Sequence, residues 1–155
     1  MSSHDKSMVI VIPALNEENT IADVINKASK FFPVIVVDDG SDDDTSLIAT
    51  QHGATVVKLK ENMGVDFALF SGFQKAIELG YLAVTTIDAD GQHDPELIPR
   101  ISGPIISGVA NICHSDRDSY QRWSERLLRA YSKRQHGYGD ILSGLKSFQL
   151  SIFSL

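Results

Sequence analysis

The chain is punctuated by short stretches that are apolar at nearly every consecutive position: 8–13 (MVIVIP), 33–39 (PVIVVDD), 54–59 (ATVVKL), 82–88 (LAVTTID) and 110–115 (ANICHS). Runs rich in valine and isoleucine, without polar alternation, predict strands buried on both faces. Between them the period changes. Ile21, Val24, Ile25 and Ala28 fall on one face of a helix predicted over 20–31. A second helix is predicted over 45–52, ending at Gly53, and a third over 68–79, ending at Gly80. Strands alternating with helices predict an α/β fold, a Rossmann-like, mostly parallel sheet with helices on both faces. In such sheets ligands bind beyond the carboxyl ends of the strands.

Length and composition narrow the class without changing it. The 155 residues suffice for one domain with a core and fall short of two, so 1–155 is expected to be a single domain, with 1–7 a flexible tail. A hydrophobic fraction of 43% and a charged fraction of 22% are those of a folded globular chain. A net charge of −6 argues against nucleic acid as the main partner. The single cysteine, Cys113, can form no intrachain disulfide and supplies no Cys/His metal framework, which favours a reducing compartment. The start MSSHDKSM lacks the order of a signal peptide, and no apolar run approaches the roughly 18 residues of a membrane span. A soluble, cytoplasmic protein is expected.

The chemistry collects at strand ends. The first strand runs into PALNEEN, the second into DDGSDDDT and the fourth into DADGQHD. One acidic loop is ordinary, as a solvated surface or a helix cap. Three at one sheet edge suggest a site. Asp42, Asp43 and Asp44 suit the start of the next helix, whereas one of Asp38 and Asp39 must point back toward buried surroundings, where a carboxylate can accept from a base or ribose. Asp88 and Asp90 share a side of an extended segment, with Gln92 on the same parity. Oxygen donors so spaced suit Mg2+ or Mn2+ with positions left open for phosphate. Asp94 reads instead as the cap of a helix begun by Pro95. His93 alternates away from Asp90 and Gln92, which points to the surface, although it adjoins the motif closely enough to touch a diphosphate.

Taken together, VIPALNEENTI, VVDDGSDDDT, ENMGVDFALFSGFQKA, DADGQHDPELIP and DILSGLKSF resemble, in order and approximate spacing, the nucleotide-sugar glycosyltransferases of family two, which have the GT-A fold. The likeness is greatest to the branch of dolichyl-phosphate mannose synthase and bacterial polyprenyl-phosphate sugar transferases, and it spans Met8 to about Phe148. The combination is specific where a lone D-x-D is weak. The resemblance implies that Pro13, Leu15, Glu17 and Asp39 line a nucleotide pocket supported by Asp38, and that Asn62, Gly64 and Ala68 form a loop and helix under the nucleotide. It implies that Asp88 and Asp90 hold metal and diphosphate, with Gln92 joining the metal shell. Asp140, Ser143, Gly144 and Lys146 match the late segment that closes on donor phosphate and acceptor.

The chain departs from the family pattern in places. Leu15 stands where an aromatic is common, Val65-Asp66-Phe67 replaces a small or basic stretch, and His114 and Asp116 alter a segment that usually reads Gly-Ser-Arg. Lys146 stands for the usual Arg, keeping a point charge but not the bidentate fork. Members usually continue further, so a C-terminally short version of the fold is implied.

The function implied is metal-dependent, inverting transfer from a nucleoside diphosphate sugar to a polyprenyl phosphate or a growing cell-surface glycan. A hydroxyl acceptor needs a base, and Asp140 is the candidate; a phosphate acceptor is already ionised, leaving Asp140 to orient Lys146 or its loop, or to serve as a turn residue after HGYG. Within 119–135, Arg122, Arg126, Arg129 and Lys133 share a helical face beside Trp123, Leu127 and Tyr131. Such a face suits contact with an anionic membrane surface, or equally the solvated side of a packed amphipathic helix.

Rival classes fit less of the chain. A haloacid-dehalogenase-like phosphatase would carry its D-x-D on the first strand with Ser or Thr where Gln92 stands. A receiver-like phospho-acceptor domain would end its first strand, not its second, in the acid pair. A GT-A domain that binds nucleotide or a partner protein without turnover is the remaining alternative.

Overall fold

Each apolar run contains a strand in the computed structural model, which describes residues 6–114 and 145–153. In chain order the elements are β1 (Val9–Ala14), α1 (Ile21–Ala28), β2 (Val34–Asp38), α2 (Thr45–Gln51), β3 (Thr55–Lys58), α3 (Val65–Glu78) and β4 (Ala83–Thr86). A 3-10 turn (Pro95–Leu97), α4 (Ile98–Ile106), β5 (Ile112–His114), β6 (Lys146–Gln149) and a second 3-10 turn (Leu150–Phe153) follow. No helix among the described residues is long and apolar enough to cross a membrane.

The strands make one six-stranded sheet in the order β3-β2-β1-β4-β6-β5. β1 pairs in parallel with β2 and with β4, and β2 in parallel with β3. β6 lies antiparallel between β4 and β5, with Lys146 opposite Thr86 on one side and His114 on the other. The sheet is thus mostly parallel, as expected, with an antiparallel insertion that periodicity does not announce. KSFQ has no apolar run, and it is seated by buried Ser147, whose hydroxyl lies 2.7 Å from that of buried Thr85, and by Phe148 tilted against Phe73.

Side-chain alternation divides the core between the faces. Ile10, Ile12, Val34 and Val36 pack with Ile21, Val24 and Ile25 of α1, Ala49 of α2, and Ile98 and Ile101 of α4. Val9, Val11, Ile35, Val37 and Val84 pack on the opposite face with Ala68 and Ala76 of α3. There α3 lies close to the sheet: a Cβ on Gly72 would stand 2.4 Å from Val11 Cγ1. Residues Val9 through Ile12 have 0% exposure, and each such side chain contributes about 1.5–3 kcal/mol relative to exposure. β1 is therefore the spine of the fold. The chain leaves it by β2 on one side and by β4 on the other, so the carboxyl ends of β1 and β4 flank a switch point, where such sheets open a crevice.

Candidate functional site

The loops leaving β1 and β2 are bonded to each other. Asn16, held at φ 56, donates its N–H to Ser41 Oγ at 2.9 Å and accepts the Asp42 N–H at Oδ1 at 3.0 Å. Glu17 N–H donates to Thr45 Oγ1 at 2.8 Å, Glu18 N–H to Asp43 Oδ2 at 3.1 Å, and Asp44 N–H to Glu18 Oε2 at 3.2 Å. Asp43 also accepts the Thr45 N–H, so among the acids predicted to start α2 it does the capping. A left-handed asparagine is tolerated because its short side chain bonds locally, and here that bond joins the two loops.

The acid pair at the end of β2 splits as alternation requires. Asp38, fully buried, accepts the Ser41 N–H at 2.7 Å and the Ser46 hydroxyl, with Lys58 Nζ at 3.6 Å. Burial pushes its carboxyl up, but the bonds from Ser41 and Ser46 and the charge of Lys58 outweigh that and hold it below the ordinary aspartate value. Asp39, 4% exposed, turns the other way and accepts the N–H groups of Met63 at 2.8 Å and Gly64 at 2.9 Å, one on each oxygen. It ties the segment between β3 and α3 down onto the sheet edge. Gly40 makes the approach possible: it sits at φ +82, and a Cβ there would stand 2.6 Å from the carbonyl carbon of Glu61.

This clamp closes a pocket of about 310 Å³ lined by Pro13, Ala14, Leu15, Asp39, Asn62, Gly64, Val65 and Ala68. Its size lies at the lower end of small-ligand sites. Pro13, Leu15, Asp39, Asn62 and Gly64, expected together, are together. Glu17 and Asp38 stand beside the pocket rather than in its lining, and the Glu17 carboxylate accepts the Thr20 hydroxyl at 2.7 Å.

Beyond β4 the expected extended segment gives way to a turn. Gly91 has φ +72, and Asp90 Oδ1 accepts the Gln92 N–H at 2.9 Å, an Asx-type turn. Asp94 does the same for Glu96 at 3.0 Å, as its capping role requires. The exposure nevertheless alternates: Ile87, Ala89, His93 and Pro95 are buried, while Asp88 is partly open and Asp90 and Gln92 are exposed. Thus Asp88, Asp90 and Gln92 offer hard oxygen donors from an anchored loop, a set that fits Mg2+ or Mn2+. Among the described residues no group of three His, Cys, Asp or Glu is placed to hold a metal.

His93 corrects the surface placement expected for it. It is 8% exposed, with Nδ1 at 3.4 Å from Asp88 Oδ2. Alternation away from Asp90 and Gln92 leads inward and not to the surface, because Asp90 and Gln92 are themselves on the exposed side while Ile87, Ala89 and Pro95 are buried. Lys146, at the start of β6, is brought beside the end of β4 through its pairing with Thr86. Asp116, Asp140, Ser143, Gly144 and the 119–135 face lie outside the described residues.

Residues 9–153 match the family Glycosyl transferase family 2. The chain is 35% identical over 122 residues to a UDP-N-acetylglucosamine--dolichyl-phosphate N-acetylglucosaminyltransferase of Methanococcus voltae, covering 66% of this chain and 49% of that protein. It is 32% identical over 155 residues to an undecaprenyl-phosphate 4-deoxy-4-formamido-L-arabinose transferase of Pseudomonas paraeruginosa, covering 86% and 45%. It therefore spans about half the length of the curated relatives it matches. Glucosyl-3-phosphoglycerate synthase of Mycobacterium tuberculosis, solved with Mn2+ and UDP-glucose, superposes with a TM-score of 0.75 at 27% identity over 96% of this chain and 57% of that one. The fold is GT-A.

Proposed function

The chain belongs to glycosyl transferase family 2, and on that premise we propose that it moves a sugar from a uridine diphosphate sugar to a polyprenyl phosphate, with Mg2+ or Mn2+ and with inversion at the anomeric carbon. The observation that carries this proposal is the meeting, at one sheet edge, of a pocket built around Asp39 with an oxygen-rich loop two residues beyond β4. Relatives named for a UDP-sugar donor and for polyprenyl phosphate acceptors support the donor and acceptor classes.

The pocket would take the nucleoside. Asp39 spends one site on each oxygen holding Met63 and Gly64, and a carboxylate has further lone pairs to accept from a base. Leu15 and Val65 give the pocket apolar walls. Asp88 and Asp90, with Gln92, would hold the metal, which when bound neutralises charge on the leaving diphosphate. Lys146 adds a point charge on the same edge. In the transfer, an acceptor phosphate oxygen bonds to the anomeric carbon as the bond to the diphosphate breaks, and UDP leaves. The acceptor is ionised at neutral pH and needs no strong base, so Asp140 serves to orient the late segment. A lipid acceptor places the protein at a membrane surface, with 119–135 as its contact.

The test is direct. The protein is incubated with Mn2+, UDP-N-acetylglucosamine or UDP-glucose and a short polyprenyl phosphate, and the lipid is read by mass spectrometry. A lipid heavier by one sugar, formed in step with UDP, supports the proposal. UDP release that ignores the lipid overturns the acceptor, and no turnover of either donor overturns the reaction.

A further inference from the structure

We infer that His93 is a positioning residue for Asp88, holding one oxygen of that carboxylate so that the other is presented outward; the inference rests on the metal and diphosphate assignment above. The loop beyond β4 is anchored by inward-facing Ile87, Ala89, His93 and Pro95, and His93 is the one among them with a polar head. Its ring is 8% exposed, and burying an imidazole costs free energy that an apolar side chain of similar size would not. Nδ1 stands 3.4 Å from Asp88 Oδ2, within ion-pair reach though outside hydrogen-bond geometry, so the carboxylate is the charged group set against the buried ring.

The geometry separates the acids of the motif. Asp90 is oriented by its own turn, through the Gln92 N–H on Oδ1. Asp88 follows β4 and has the His93 ring at its Oδ2. A carboxylate fixed through one oxygen offers the other in a defined direction, which lowers the ordering cost when an ion is captured. His93 lies next to Gln92 in sequence but faces inward, so it acts through Asp88 and not on the ligand itself.

The experiment compares the native chain with His93→Asn, whose amide nitrogen falls near the place of Nδ1, His93→Gln, whose amide reaches toward Nε2, and His93→Phe, which keeps the ring volume only. UDP binding is measured by calorimetry with and without Mn2+. Expected is an Mn2+ enhancement kept in His93→Asn and weakened about 10-fold or more in His93→Gln and His93→Phe, with metal-free UDP binding equal throughout. An unchanged enhancement in His93→Phe overturns the inference, as does an equal loss in His93→Asn, or a matching fall in metal-free binding, each of which makes His93 a packing residue. If native protein shows no Mn2+ enhancement, the metal assignment itself falls and this inference with it; if native protein shows one and the variants do not differ, only the inference falls.

Discussion

The pocket side and the β4 side of the sheet edge are built in opposite ways. On the pocket side, bonds run between segments distant in sequence: Asn16 to Ser41 and Asp42, Glu17 to Thr45, Asp39 to Met63 and Gly64. On the β4 side, Asp90 and Asp94 each accept from an N–H two residues on, and the exposed carboxylate faces solvent. The first arrangement is preorganised: its carboxylates already hold the loops in place before any ligand arrives. The second keeps oxygen capacity in reserve, as a site must when a bound metal and diphosphate are to complete it.

The contrast is broken most severely at Gly40. Gly40→Ala forces a Cβ to within 2.6 Å of the Glu61 backbone at a left-handed φ, and the expected loss is about 3 kcal/mol in urea unfolding. The opposite outcome belongs to Asp90→Ala. At that exposed position the urea midpoint should hardly move, while the Mn2+ enhancement of UDP binding falls about 100-fold, or about 2.7 kcal/mol. Asp39→Asn sharpens the pairing from the pocket side: one of the two backbone N–H groups loses its charged acceptor, so stability falls by about 2 kcal/mol and UDP affinity falls by the same factor with and without Mn2+.

Acid probes the smallest difference. The folded-state pKa of Asp38 is lowered from an ordinary value of 3.8, so its ionised form contributes stability that is present above that value and is lost as the pH falls through the folded one. Asp38→Asn should therefore flatten the stability profile below about pH 4, as read by urea midpoints across an acid series; an unchanged profile would contradict the buried role of that carboxylate.

What was legible in the sequence follows from the same contrast. The parallel strands announce themselves because burial on both faces demands continuous valine and isoleucine, and β1 and β2 fall within a residue of their predicted spans. The helix α3 begins at Val65, earlier than the predicted Ala68, directly after Gly64, whose N–H is held by Asp39. β6 was hidden because a short mixed stretch becomes a strand only through partners far away in sequence, Thr85 and Thr86 among them. The residues of the pocket were legible from motif order, but the bonds that shape it were not. Ser41, Thr45 and Ser46 look like ordinary turn and cap residues until Asn16, Glu17 and Asp38 are brought to them. His93 reads as a surface residue for a related reason: it alternates away from Asp90 and Gln92, whereas those two face outward and the opposite side is the interior.

Calorimetric titration of the native chain with uridine and with UDP, each in the presence and absence of Mn2+, tests most directly whether a prebuilt nucleoside pocket adjoins a site that a metal completes. Uridine binding that ignores Mn2+, together with UDP binding that strengthens with it and loses the gain in Asp90→Ala, is the predicted result. UDP binding indifferent to Mn2+, or no binding of either ligand, would contradict it.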